Sequence, residues 1–223
     1  MMRYRHEIKH TIHYGEYLIL KSRLKFICKL DRNGQEDGTY HIRSLYFDSY
    51  TDKALREKLD GVSNREKFRL RYYNHDTTFI RLEKKCKTRG LCYKESKIIT
   101  LDECESLLKG DIDFLKQKKG NLYQEFYKKL DTRSLVPKTV IDYTREAYIF
   151  PAGNVRITFD SDIRTSITSQ DFLNTNLPTI RATDYIILEV KYDDFLPGMI
   201  KDALQTGERN ATAFSKYAAG RII

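Results

Sequence analysis

The sequence has no paired-cysteine motif, no long hydrophobic run and no glycine-rich phosphate loop. Its four cysteines form no CxxC pair, which disfavours a zinc site or a dithiol redox motif and fits reduced thiols. No apolar stretch approaches the roughly 18 residues of a membrane helix, and the first 30 residues carry charges throughout, unlike a signal peptide. Neither GxxxxGK followed by Ser or Thr nor GxGxxG occurs, so a P-loop or dinucleotide-binding fold has no support. We therefore expect a cytoplasmic protein.

What the chain has in excess is positive charge. It contains 223 residues, with 40 Lys and Arg against 31 Asp and Glu, and 40% of its residues are hydrophobic. This composition predicts one globular domain over residues 1–223. Between residues 65 and 97 there are eleven basic side chains and four acidic ones. Such a concentration of charge indicates a polyanionic ligand, and at this point DNA, RNA, an anionic membrane surface and polyphosphate all remain open.

Alternating patterns rich in Tyr, Ile, Val, Phe and Thr predict eight strands, at 4–13, 40–48, 65–74, 78–87, 91–99, 138–149, 154–163 and 184–192. Helical periodicity is clearest at 15–28, 50–59, 101–130 and 194–205, with a break near Gly110 and Thr100 or Asp102 as the cap of the third helix. Consecutive strands joined by short turns are typical of antiparallel sheets. We therefore predict an α+β fold, with one large antiparallel sheet or closed barrel and peripheral helices.

Residues two apart on a strand share a face, so the alternation shows what each strand presents. The strand at 65–73 places four cations on one face and apolar side chains on the other, and three further strands mix cations with carboxylates on one face. These sets are Arg65, Lys67, Arg69 and Arg71; Arg81, Glu83, Lys85 and Lys87; Arg5, Glu7 and Lys9; and Glu189 with Lys191. Like charges on adjacent strands repel and need a counterion, for which a phosphate chain is suitable.

Other side chains on these strands suggest a metal and a packing surface. Glu7, Glu83 and Glu189 stand among the cations and could bind Mg²⁺ or Mn²⁺, whose remaining ligands would be phosphate oxygens and water. Four tyrosines of the strands are expected to pack outside the barrel against helices rather than to stack on bases. These are Tyr46, Tyr72, Tyr73 and Tyr93.

A set of short motifs resembles, in order and over nearly the whole chain, the VTC domain. The motifs are Tyr4-Arg5-His6-Glu7-Ile8-Lys9, Arg43-Ser44-Leu45-Tyr46-Phe47-Asp48, Lys67-Phe68-Arg69-Leu70-Arg71, Leu82-Glu83-Lys84-Lys85, Tyr143-Thr144-Arg145, Val155-Arg156-Ile157-Thr158-Phe159-Asp160, Leu188-Glu189-Val190-Lys191 and Phe214-Ser215-Lys216-Tyr217. That domain is the polyphosphate polymerase of the vacuolar transporter chaperone complex and has bacterial relatives. It belongs to the triphosphate tunnel metalloenzymes, whose eight-stranded antiparallel barrel forms a tunnel lined by Lys, Arg and Glu.

The resemblance, with the alternation above, implies a site. Catalytic cations would be Arg69, Arg71, Lys85, Arg145 and Arg156, and substrate would be bound by Lys9, Arg5, Lys67, Lys87, Lys94, Tyr143, Lys191 and Lys216. The metal, Mn²⁺ or Mg²⁺, would be held by Glu189, with Glu7 and Glu83 as further candidates. Two positions depart from the pattern. Arg5 stands where hydrolytic members of the superfamily carry the first Glu of ExExK, and Ala213 stands where a second C-terminal Lys can occur.

The function implied by the resemblance is transfer of the terminal phosphoryl group of ATP to a growing inorganic polyphosphate chain. A tripolyphosphatase or nucleoside triphosphatase on the same fold, a non-catalytic module that binds polyphosphate or inositol phosphates, and a nucleic-acid module are the alternatives. ATP and polyphosphate would be the partners, with no specific nucleic acid. A membrane protein that takes up the polymer is a further possible partner, and it would place the domain at the inner face of the membrane.

Overall fold

The computed structural model describes residues 4–35, 37–206 and 211–222. Ten strands form one sheet, and all eight predicted strands are present. The strands are β1 (His6–Ile12), β2 (Lys29–Leu30), β3 (Thr39–Asp48), β4 (Arg65–Tyr73), β5 (Asp76–Thr88), β6 (Leu91–Ile99), β7 (Val136–Phe150), β8 (Val155–Ser166), β9 (Ile180–Arg181) and β10 (Ile186–Tyr192). The two strands that the sequence did not predict, β2 and β9, are two residues long and add to β7 and β8.

Seven α-helices accompany the sheet in the described residues. They are α1 (Tyr14–Ile27), α2 (Lys53–Leu59), α3 (Leu101–Leu108), α4 (Phe114–Gln117), α5 (Asn121–Asp131), α6 (Gly198–Ala203) and α7 (Lys216–Ala219). None of the described helices has the length and apolar character needed to cross a membrane.

The eight long strands are antiparallel and follow the order β1-β10-β8-β7-β3-β4-β5-β6. Its two outer strands, β1 and β6, approach each other because the sheet curls. Arg5 and Cys92 form an antiparallel bridge there, with two backbone hydrogen bonds of 3.1 Å. The predicted α+β fold with an antiparallel tunnel is therefore confirmed, and the inner face of the sheet surrounds a cavity.

Two of the three apolar clusters lie on the outer face of the sheet. On β4 the side chains of Phe68, Leu70 and Tyr72 point away from the cavity into a cluster covered by α3 and α5. Phe126 of α5 packs against Phe68, with 5.7 Å between ring centroids. A second cluster lies beneath α1 and α6. The third, around β3, β7 and α7, includes Tyr40, Tyr46 and Tyr143, which border the cavity, and it therefore lies on the inner face. Since most of the core is outside, the rest of the inner face can be polar without loss of the burial that stabilises the fold.

The predicted helix at 101–130 is divided into three. Thr100 caps α3 through a reciprocal capping box with Glu103, as the sequence suggested. Gly110 has a φ of 89° just after α3, which confirms the predicted break. A second break at Gly120, where φ is 131°, was not predicted, and α5 starts from it.

Residues of the segment 211–216 border the cavity. The backbone N–H of Thr212 donates to the carbonyl of Lys9 at 2.7 Å, and the Ser215 hydroxyl accepts from the N–H of Ala218 to cap α7. This four-residue helix was not predicted, because a single turn has too few residues to show a periodic pattern. It carries Lys216 to the cavity.

Candidate functional site

The curled sheet encloses a cavity of about 790 Å³. Fifteen described Lys and Arg side chains border it, against two carboxylates. The cations are Arg5, Lys9, Lys58, Arg65, Lys67, Arg69, Arg71, Arg81, Lys85, Lys87, Lys94, Arg145, Arg156, Lys191 and Lys216, and the carboxylates are Glu7 and Glu189. Such an excess of one charge in an enclosed space favours a polyanionic ligand.

Fifteen of the sixteen residues predicted for the site border this cavity; the exception is Glu83. Their convergence follows from strand alternation, since Arg69 and Arg71 share the inner face of β4, and Arg145 and Tyr143 share that of β7. The structure therefore brings the predicted residues together, while the role of each remains a prediction.

Neighbouring strands place cations side by side across the ladder. Lys67 of β4 is opposite Lys85 of β5, which is opposite Lys94 of β6. Lys85 and Lys94 each have a carboxylate partner, but within the described chain Lys67 has none: it donates to the hydroxyl of Ser215 at 3.1 Å and lies 5.2 Å from the ring centroid of Tyr217. Burial, helped by the positive charges of Arg65 and Lys9, lowers the pKa of Lys67 to about 8. This row of lysines is therefore short of negative charge.

Glu83 shares the inward parity of Arg81 and Lys85 on β5, but cations cover it and it does not border the cavity. Its side chain is fully buried and accepts hydrogen bonds from Arg69 Nε at 2.7 Å and Lys94 Nζ at 2.8 Å. Burial raises the pKa of this carboxyl, but Arg69, Arg71 and Lys94 outweigh it and hold the pKa well below its usual range. Glu83 thus orients cations that face the cavity, and we leave it out of the proposed metal site.

Glu7 and Glu189 are neighbours on β1 and β10 and share two ammonium groups. Lys9 Nζ lies 3.3 Å from a carboxylate oxygen of each, and Lys191 Nζ lies 2.5 Å from Glu189 and 3.7 Å from Glu7. Burial raises the pKa of both carboxyls, yet the surrounding lysines lower it below the usual range, so both are ionised at neutral pH. Lys85 completes the cluster at 2.7 Å from Glu7.

This donor set fits a hard divalent cation only in part. Within residues 4–35, 37–206 and 211–222, no group of three or more His, Cys, Asp and Glu side chains could hold a metal ion. Two adjacent ionised carboxylates nevertheless suit Mg²⁺ or Mn²⁺ when phosphate oxygens and water supply the remaining ligands. Glu7 and Glu189 are therefore the residues that could hold the metal, together with a bound substrate.

Asp160 was missed as a site residue in the sequence analysis. This fully buried carboxylate accepts from Arg145 Nε at 2.5 Å and Nη2 at 2.7 Å, and it also pairs with Lys216. Although burial raises its pKa, Arg145 and Lys216 lower it to about 2. Asp160 shares the inward parity of Arg156 on β8, so the alternation of that strand could have revealed it. Asp31 holds Arg156 in a similar way.

The comparisons with known proteins agree with this geometry. The family model described as the VTC domain matches residues 4–223. The chain belongs to the VTC domain family. A search of the curated proteins finds no match.

Two solved structures share the fold of this VTC domain. A candidate adenylyl cyclase from Hippeastrum, described as having a dominant triphosphatase activity, has a TM-score of 0.59 at 13% identity, covering 100% of this chain and 96% of that one. A candidate adenylate cyclase from Bacillus halodurans has a TM-score of 0.52 at 11% identity, covering 85% of this chain and 81% of that one. Both likenesses concern the triphosphate tunnel fold alone.

Tyrosines form part of the inner wall of this VTC domain, which corrects the expectation that they pack outside. Tyr72 does lie in the outer cluster, but Tyr46, Tyr73 and Tyr93 border the cavity. The Tyr46 hydroxyl accepts from Arg69 at 3.0 Å, and that of Tyr143 accepts from Arg71 at 2.9 Å. The hydrogen of each hydroxyl is thus directed away from the guanidinium. The expectation failed because a large amphipathic ring suits either face of a strand.

The Tyr46 phenol should ionise near neutral pH in the unliganded VTC domain. Burial raises its pKa, but Arg69, Arg71 and Lys216 lower it to about 7. Lys67 and the stacked ring of Tyr217 also adjoin it. We expect tyrosinate absorbance to develop around pH 7 and to disappear when tripolyphosphate is added, since a bound anion favours the protonated phenol.

Tyr46→Phe is the control, because it should remove this spectral transition and leave the titration of the other tyrosines unchanged. If no tyrosine ionised below about pH 9, the cations would not act on Tyr46 as the geometry indicates.

Proposed function

We propose that this VTC domain is a polyphosphate polymerase, which transfers the terminal phosphoryl group of ATP to the end of an inorganic polyphosphate chain. The observation that carries the proposal is the cavity lined by fifteen cations and two carboxylates. A chain of phosphates would supply the negative charge that the row of Lys67, Lys85 and Lys94 lacks. ATP as donor also agrees with the cytoplasmic location predicted from the sequence.

In this proposal the guanidinium groups position the transferring phosphoryl group. Arg69 and Arg145 are each fixed by a buried carboxylate, Glu83 and Asp160, so their orientation is set before substrate arrives. Arg71, Arg156 and Lys85 would complete the set, and the remaining predicted lysines would grip the chain. Preorganised donors of this kind stabilise charge that develops in the transition state. Arg is suited to the task because its planar fork matches phosphate oxygens.

The attacking group would be a terminal phosphate oxygen of the acceptor chain. This oxygen is already anionic, so the site needs no strong general base. The wall cations would hold acceptor and donor in line, which lowers the entropic part of the barrier. Glu189 and Glu7 would bind Mn²⁺ or Mg²⁺, which when present offsets negative charge on the phosphate oxygens.

A triphosphatase that uses water as nucleophile is the second candidate. The Hippeastrum protein of similar fold is described as having a dominant triphosphatase activity, which favours it. Against it, Arg5 occupies the place of a carboxylate on the first strand, so fewer groups can orient a metal-bound water. Arg5 is ion-paired to Asp193 at 3.0 Å and therefore adds less free positive charge than its sequence position suggested. A nucleic-acid duplex does not fit an enclosed cavity of this size.

The experiment that tests the proposal is incubation with ATP, Mn²⁺ and a short polyphosphate primer, with the products resolved by chain length. We expect ADP together with chains longer than the primer. Orthophosphate released in equal amount to ADP, without extension at any primer concentration, would favour the triphosphatase. Absence of ADP would favour a non-catalytic module that binds polyphosphate or inositol phosphates.

A further inference from the structure

One end of the cavity carries aromatic side chains that a phosphate chain alone does not require. Phe79 on β5 borders the cavity and remains 37% exposed. Unlike Phe214, which packs against the third apolar cluster, Phe79 belongs to none of the three clusters of described residues. The Phe79 ring therefore faces a cationic cavity and does not contribute to the packing of the core.

Arg81 lies beside this ring on the same face of β5. Its guanidinium carbon is 4.5 Å from the centroid of Phe79. Most cations of the wall have a carboxylate partner, but the side chain of Arg81 has neither a hydrogen bond nor an ion pair with any described residue, and its Nε is buried without a partner. The ring therefore holds a guanidinium whose N–H groups are not used by the protein.

Strand register places Phe79 and Arg81 at one end of the row of inward-facing cations on β4 and β5. Arg81 is opposite Arg71, and Phe79 and Tyr73 occupy the next inward positions beyond these two. At the other end of the same strands, Arg65 is opposite Lys87. The two ends of β4 and β5 thus differ in chemistry. One end carries aromatic rings and arginines, and the other carries cations without aromatic rings.

We propose that Phe79 and Arg81 form a subsite for the nucleobase end of a nucleoside triphosphate. Phe79 stacks on the base, and Arg81 binds the phosphate nearest the ribose. Arg71 and Arg69, the successive inward-facing residues of β4, bind the next two phosphates. Stacking on an aromatic ring accepts any base, because every base has a π-face. This inference rests on the proposed function, since it assumes that the donor is a nucleotide rather than inorganic tripolyphosphate.

The test compares two ligands that share a triphosphate but differ in the nucleoside. Binding of ATP and of inorganic tripolyphosphate is measured by calorimetry in EDTA, so that no turnover occurs, for the wild type and for Phe79→Ala. We expect ATP to bind about tenfold more weakly to the variant, while tripolyphosphate affinity stays within about twofold. Phe79→Tyr should retain the affinity for ATP, because it keeps the ring.

Phe26→Ala is the matched control, because Phe26 is an exposed phenylalanine of α1 away from the cavity. It should change neither affinity. With Mn²⁺ and primer present, Phe79→Ala should raise the KM for ATP at nearly unchanged kcat, as expected when uniform binding is lost.

The possible failures are distinguishable. Equal weakening of both ligands by Phe79→Ala, or no change in either, would overturn the nucleobase subsite while leaving the proposed polymerase intact if chains still grow. Failure of the wild type to bind either ligand would overturn both the subsite and the proposed function.

Discussion

Glu189→Gln is expected to reduce phosphoryl transfer more than about 100-fold while preserving tripolyphosphate binding in EDTA. The change removes one of the two carboxylates that face the cavity and could hold the metal. Loss of a negative charge should, if anything, favour a polyanion. Mn²⁺ binding in the presence of tripolyphosphate, followed by the electron paramagnetic resonance signal of free Mn²⁺, should weaken in parallel, and this readout does not depend on turnover.

A plain ion-pair role for Glu189 predicts a different result. Glu66→Gln serves as control, because Glu66 also pairs with two lysines, Lys84 and Lys129, on the outer side of the sheet. If Glu189 only neutralised Lys9 and Lys191, both variants would lose stability without losing Mn²⁺ binding. Activity of Glu189→Gln within a few fold of wild type at saturating Mn²⁺ would rule out the proposed metal role.

Lys67→Met is expected to stabilise the unliganded protein and to weaken its binding of tripolyphosphate. Lys67 is a largely buried cation whose described partners are a hydroxyl and the Tyr217 ring but no carboxylate, and its pKa is lowered to about 8. Removing the charge should raise the free energy of unfolding at pH 7 by roughly 3 kcal/mol at most, or about 6 to 12 °C in Tm at most. Tripolyphosphate affinity should fall about 10- to 100-fold, because a charge-assisted hydrogen bond is lost.

The pH dependence checks the cause of this stabilisation. The unfolded chain keeps the Lys67 proton up to about pH 10.4, whereas the folded protein releases it near pH 8. The cost of the charge is therefore complete below pH 8, and wild-type stability rises between about pH 8 and pH 10.4. The difference in unfolding free energy between Lys67→Met and wild type should close across that window.

The exposed residue Lys25 on α1 provides the control variant, Lys25→Met, which should show no such pH-dependent difference. A lower Tm for unliganded Lys67→Met than for wild type would mean that Lys67 stabilises the empty fold and is not a cation awaiting an anion.

The sequence correctly predicted which residues face the cavity where the pattern of a single strand is sufficient. On β4 the alternation of Lys67 and Arg69 with Phe68 and Leu70 separates cavity from core without knowledge of any neighbour. Boundaries of the eight long strands were predicted within a few residues for the same reason, because period-two patterns depend only on local order.

The sequence predicted less well the ion pairs that depend on the register between strands. The sequence suggested that adjacent cations would need an external counterion, yet the fold itself brings Glu83 to Arg69 and Asp160 to Arg145. The latter pair forms across β7 and β8, and Lys216 joins it from a segment 56 residues further along the chain. These pairings depend on strand register and on the segment 211–216, neither of which a local pattern contains.

The most direct test of polymer synthesis is phosphorus NMR of one reaction that contains the protein, ATP, Mn²⁺ and a short polyphosphate primer, with EDTA added before the spectrum is recorded to remove the paramagnetic ion. The technique separates orthophosphate, terminal phosphoryl groups and internal phosphoryl groups of a chain. Polymer synthesis predicts that the internal signal grows in proportion to ADP while the terminal signal of the chains stays constant. Orthophosphate that grows in proportion to ADP, with no gain in the internal signal, would contradict the proposed polymerase.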